Sequence, residues 1–151
     1  MENKSELLKA TSKMIEERRG NCAQIILSTY GPHTGSQKID SKLCMNIAAA
    51  FGGGVNLTGN VCGAVTGALM ALGLKYGKNI QEVTRVSNQF MDEFIAIHGS
   101  VICHELIGQD LSYDENPSKE NQENVFKNCP KYIFDAAQLL EKHVELEEIT
   151  L

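Results

Sequence analysis

The chain has 151 residues, 42% of them hydrophobic, only three prolines, and a formal net charge of −5. That length and composition suit one compact domain over residues 1–151 with a core of its own, and they exclude a disordered chain. The acidic balance removes the basic footprint of a nucleic-acid or anionic-membrane binder. Residues 5–19 place Leu7, Leu8, Met14 and Ile15 among charges, so an amphipathic first helix is expected, with Ser5 as its cap and an end near Gly20. Asn21 then caps a mostly apolar helix over residues 22–30, and Gly31-Pro32-His33-Thr34-Gly35 reads as a loop. Asp40 or Ser41 starts a third helix through Phe51, with Leu43, Ile47 and Phe51 on one face.

The stretch from Gly52 to Leu74 is a glycine-rich turn that delivers Cys62 to the start of a helix. Residues 61–74 carry no charge and one hydroxyl, Thr66, which predicts a central helix apolar all round and therefore buried. Fourteen residues are too few to span a bilayer. Gly63, Gly67 and Ala71 form a stripe without bulk, open to another backbone or to a bound group, and Gly63, Gly67 and Thr66 are the candidate cofactor contacts beside Cys62. Residues 80–98 give the longest amphipathic helix, capped by Asn79, facing inward through Val83, Val86, Phe90, Phe94 and Ile97, and stopped at Gly99. Ser100 caps a helix over residues 101–107, residues 119–126 form a marginal one, and Pro130 opens a last helix over residues 131–145 with Ile133, Ala136, Ala137, Leu140 and Val144 inward. No alternating strand pattern appears. The fold class is all-α, a compact helical bundle of six to eight helices.

Four of the five cysteines, Cys22, Cys62, Cys103 and Cys129, fall at helix starts. The open N–H groups and positive partial charge there lower a thiol's pKa and favour the thiolate that attacks disulfides or binds metal. Cys44 sits inside a helix and reads as a small core hydrophobe. The spacings of 40, 41 and 26 residues match no zinc finger, ferredoxin or Cys-x-x-Cys pattern, so all three pairings of the four remain open. No apolar signal region or spanning segment stands out, and the expected location is the cytoplasm, where surplus thiols point to redox or metal chemistry rather than structural disulfides.

Gly20-Asn21-Cys22-Ala23-Gln24, the run Phe51-Gly52-Gly53-Gly54, Cys62-Gly63-Ala64-Val65-Thr66-Gly67, Cys103 and Cys129, taken in order, resemble the C-GCAxxG-C-C family of small redox-active prokaryotic proteins. Val61 stands where the family name has a glycine, with Gly63 following the cysteine. The resemblance implies that Cys22, Cys62, Cys103 and Cys129 are the functional set. Related sequence in split-Soret cytochromes, where the equivalent cysteines accompany an iron–sulfur centre, implies such a cluster as an alternative; no Cys-x-x-Cys-His haem site is present.

Other chemistry is thinly supported. Gly54 to Gly59 has a phosphate-loop gap but lacks the lysine, His104 is the only histidine next to the thiol set, and the Glu-rich end at residues 141–148 reads as a solvated face. Three functions stand. The first is thiol–disulfide exchange or electron transfer, a thiol-dependent oxidoreductase, with Cys62 as the attacking thiol and a redox partner protein or small-molecule thiol as partner. The second is an iron–sulfur cluster or zinc held by the same four thiolates. The third is a non-redox helical binding or assembly protein; homo-oligomerisation is open in all three.

Overall fold

The computed structural model describes residues 5–35, 38–109, 111 and 124–144. Among them are seven α-helices: α1 Glu6–Glu16, α2 Cys22–Thr34, α3 Ser41–Ala48, α4 Gly63–Tyr76, α5 Ile80–His98, α6 Cys103–Ile107 and α7 Cys129–His143, with a 3₁₀ turn Ala49–Phe51 after α3. The only extended pairing among the described residues is an isolated antiparallel bridge between Val61 and Ile102. The fold is helical throughout, as the patterning implies. No described helix is long and apolar enough to cross a membrane. The marginal helix expected at residues 119–126 lies largely outside the described residues.

The caps follow the sequence closely. Ser5 accepts from the Leu8 N–H, Asp40 from Leu43 and Asn79 from Glu82, each satisfying an amide left open by the helix. Asn21 and Gln24 form a full capping box at α2, and both reach further: Asn21 Nδ2 donates to the Ala49 carbonyl and Gln24 Nε2 to that of Met45. The start of α2 is thereby fastened to α3 and the turn that follows it. Ser100 lies two positions before the cap, its hydroxyl accepting from Ile102 N–H while Ile102 is the residue that caps α6.

The centre of the bundle is the α2–α4 pair, with α1, α3 and α7 packed on α2 and α5 and α7 on α4. Four expectations are corrected here. First, α2 continues through Gly31 and Pro32 to Thr34 instead of ending in a loop. Pro32 falls in the last turn, where it forfeits a single backbone bond, and the buried Tyr30 and Gly31 hold that turn in the core. Second, α3 is rotated by one residue. Cys44 and Ala48 are buried, whereas Leu43 and Ile47 are 49% and 45% exposed. Cys44 Sγ sits where a side chain on Gly31 would stand, 2.8 Å from its Cβ position, so α3 lies too close to α2 for anything but its small face. Third, α4 is buried on one broad face, Gly63 to Val65, Gly67, Ala68, Ala71 and Leu72, and half-buried on the other. Fourth, α5 closes its buried stripe of Val86, Phe90 and Phe94 with the His98 side chain, and Ile97 points outward at 54% exposure. The i, i+4 continuation from Phe94 lands on His98, not on Ile97.

Glu141 is also not the solvated residue expected. It accepts hydrogen bonds from the buried Tyr30 hydroxyl and from Ser5, joining α7 to α2 and α1. Residues 145–148 lie outside the described residues.

The glycines of α4 make the closest approach in the bundle. A Cβ on Gly67 would lie 2.9 Å from the Ala23 carbonyl oxygen and 3.1 Å from Ile26 Cβ, neither of which can yield, whereas Gly73 has nothing within 4 Å. Gly67→Ala is therefore expected to destabilise by about 1–3 kcal/mol through overpacking. Gly73→Ala should stabilise by up to about 1 kcal/mol through helix propensity. Urea denaturation of both variants reads the difference; equal effects would contradict the packing described.

Candidate thiol centre

Each of the four cysteines is fixed by a separate local device. Cys22 is the first residue of α2, immediately behind the Asn21–Gln24 capping box. Cys62 is the cap residue of α4, and Cys103 opens α6. These two are tied across the Val61–Ile102 bridge: the Cys62 N–H donates to Val101 O at 2.8 Å and the Cys103 N–H to Asn60 O at 2.6 Å. Cys129 opens α7 beside Pro130, and Tyr132, one turn along, donates its hydroxyl to Leu106 O at 2.9 Å, holding α7 against α6. The four helix starts converge. All four thiols line one cavity of ≈ 20 Å³, closed by Gly53, Gly63, Leu106, Phe126, Tyr132 and Ile133 among others.

Cys22 acts on each of the other three thiols, and its charge is the largest coulombic influence on each of them. Backbone amides of Gly53, Ala23, Gly63 and Cys22 itself act on its sulfur, and a Cβ on Gly63 would collide with that sulfur. Cys62 makes no side-chain hydrogen bond as a cap, but the Ala64 and Val65 amides favour its thiolate.

These amides do not prevail. The helix-start argument predicts lowered thiol pKa values, and the structure reverses it. Burial pushes Cys22 up; burial, then the charge of Cys22, pushes Cys62 up to about 12, Cys103 up to about 11 and Cys129 still higher. Desolvation of a thiolate in an apolar cavity, compounded at Cys62, Cys103 and Cys129 by the charge of Cys22, outweighs the partial charge of a helix terminus. All five cysteines are free thiols.

The set is layered. Cys62 and Cys103 are 6% and 5% exposed and border the inner cavity. Cys22 and Cys129 are half-buried and also border a surface pocket of ≈ 640 Å³. Cys62, the expected attacking thiol, is thus behind Cys22 and Cys129 rather than in front of them.

The remaining candidates sit elsewhere. Gly63 borders the thiol cavity, while Gly67 and Thr66 do not: Gly67 meets the α2 backbone, and the Thr66 hydroxyl donates to Gly63 O within its own helix. Cys44 is fully buried against Gly31, away from the cavity. His104 is exposed and packs beneath Gly59. Sequence reasoning missed Gly53, whose amide acts on Cys22, and Tyr132, which walls the cavity; the triple glycine was the one available signal for the first.

For an iron–sulfur cluster or zinc, the alternative reading of the same four thiolates, the structure offers no assembled ligand set. Among the described residues no group of three or more His, Cys, Asp or Glu is arranged to hold a metal ion.

Fold and site together define a helical four-cysteine protein with its thiols gathered at one internal point. The chain belongs to the family described as "Putative redox-active protein (C_GCAxxG_C_C)", which matches residues 20–143. No curated protein and no solved structure matches the chain.

The raised thiol pKa values make a stability prediction. A group whose folded pKa exceeds its unfolded value contributes stability that is fully present below the unfolded value and is lost as pH rises through the folded one. For Cys62 and Cys103 that window opens at the ordinary 9.0 and extends to about 12 and about 11 respectively. The reduced protein should lose stability steadily across it in urea denaturation, and Cys62→Ser should flatten the loss. An unchanged slope in that variant would contradict the burial described.

Proposed function

We propose that this chain is a thiol-based redox protein that exchanges electrons with an external disulfide or dithiol through Cys22 and Cys129, with Cys62 and Cys103 as an inner second pair. The observation that carries the reading is the double position of Cys22 and Cys129, which border both the internal thiol cavity and the surface pocket. Cys22 is also the strongest of the three sulfur influences on Cys129. Two thiols that share one cavity and both border a surface pocket are what dithiol exchange requires.

The step balances as follows. Cys129 loses its proton and its sulfur attacks a partner disulfide; one partner sulfur leaves as a thiol and a mixed disulfide forms. Cys22 then loses its proton and attacks the Cys129 sulfur, releasing the second partner sulfur. Two cysteine thiols become one disulfide, two partner thiols form, and the two protons end on them. Because burial keeps the reduced thiols protonated near neutral pH, the exchange should quicken as pH rises and the thiolates form.

Titrating the anaerobically purified, reduced protein with a single equivalent of diamide and mapping the peptides tests this reading. The expected product is a Cys22–Cys129 disulfide, reversed by dithiothreitol, absent in Cys22→Ser and Cys129→Ser, and unaffected by Cys44→Ser. Four persistent thiols under these conditions, or iron and inorganic sulfide bound in stoichiometric amounts, would overturn it.

A further inference from the structure

Cys22 shares its cavity with Cys62, Cys103 and Cys129 and acts on each of them, so the cavity offers it three disulfide partners. The three are held in place by different means. Cys62 and Cys103 are set by main chain, since the amides that flank the Val61–Ile102 bridge and donate across it are their own. The Cys129 N–H bonds within its own turn, to Phe126 O at 3.0 Å, and the cap residue Asn128 contributes no side-chain bond. The start of α7 is tied to α6 by a side chain instead, through the Tyr132 hydroxyl on Leu106 O at 2.9 Å.

Tyr132 stands on the sulfur side of α7. It lies three residues beyond Cys129 and walls the thiol cavity. Burial pushes its hydroxyl pKa up, and the charges of Cys129 and then Cys62 push it further. The ring is packed by α5: the His98 ring meets it nearly perpendicular at 4.8 Å between centroids, and the Phe94 ring is tilted against it at 6.5 Å. His98 in turn holds Nε2 3.0 Å from Oδ2 of Asp135, the next turn of α7. The ring thus fixes α7 against α5, while the hydroxyl fixes it against α6. These two contributions are separable, because phenylalanine keeps the ring contacts and loses the bond to Leu106. The far end of α7 carries a matching device, the Tyr76 hydroxyl donating to His143 O.

We infer that Tyr132 is the positioning residue that selects Cys129, over Cys62 and Cys103, as the disulfide partner of Cys22. This rests on the dithiol reading above and adds the cause of its pairing. Within one cavity the pairings interconvert by exchange: a free thiol loses its proton and attacks a disulfide sulfur, the departing sulfur takes up a proton, and the number of disulfides is unchanged. At equilibrium the favoured bond joins the sulfurs that the fold holds best together. Loss of one hydrogen bond that holds Cys129 in place shifts such an equilibrium about three- to tenfold.

The test gives the reduced protein one equivalent of diamide under argon, waits until the pairing no longer changes, quenches with acid and maps the peptides. The wild-type chain should hold chiefly the Cys22–Cys129 bond. In Tyr132→Phe the ratio of that bond to Cys22–Cys62 and Cys22–Cys103 together should fall about three- to tenfold. Tyr76→Phe, which loosens the opposite end of the same helix, should keep the wild-type ratio; circular dichroism establishes that both variants are folded. An unchanged ratio in Tyr132→Phe, or an equal fall in Tyr76→Phe, would overturn the inference and leave dithiol exchange standing. If the wild-type chain forms no Cys22–Cys129 bond, the dithiol reading fails and this inference fails with it.

Discussion

The structure depends on one close approach, that of the N-terminal turns of α2 and α4. With no side chain on Gly63 or Gly67, the α4 backbone meets Ala23 and the Cys22 sulfur directly, and any larger residue would drive the two helices apart. That contact puts Cys22 beside Cys62. The bridge between Val61 and Ile102 then brings Cys103 alongside, and the Tyr132 hydroxyl on Leu106 brings α7 and Cys129. Four thiols from four distant parts of the chain meet because four helix starts are stacked on one glycine contact.

Convergence has an electrostatic consequence. A thiol alone at a helix start is activated, but in this apolar cavity burial disfavours every thiolate, and the charge of Cys22 adds to that at Cys62, Cys103 and Cys129. The amides around Cys22 offset part of this and leave the sign unchanged. The reduced centre is consequently a protonated, quiet state, and its reactivity is governed by what reaches Cys22 and Cys129 from the pocket. The left-handed turn at residues 53–57 joins the two layers, because the same Gly53 contributes an amide to Cys22 and a wall to the pocket.

Much of this is legible in the amino-acid sequence, and the exceptions have physical causes. Ser5, Asn21, Asp40 and Asn79 announce their helices because capping is a local interaction, and the same locality places Cys22, Cys62, Cys103 and Cys129 at helix starts. The rotation of α3 is not legible: Leu43 and Ile47 are the natural core pair until Gly31 brings α2 so close that only Cys44 and Ala48 fit. The direction of the thiol pKa values is lost for a similar reason. Helix polarity is written in the sequence, whereas burial and the proximity of other sulfurs arise only from the tertiary fold. The pocket is hidden further, since nothing in Val55-Asn56-Leu57 suggests a left-handed run that two of its three residues disfavour.

The central claim is that the four sulfurs share one desolvated site in which Cys22 acts on the other three. It is tested most directly by following the ¹³Cβ shifts of Cys62, Cys103 and Cys129 against pH in the reduced protein and in Cys22→Ser. Removing the Cys22 charge should move all three titrations downward toward the ordinary thiol value while leaving Cys44 where it was. Titrations of Cys62, Cys103 and Cys129 that ignore the loss of Cys22 would contradict the account.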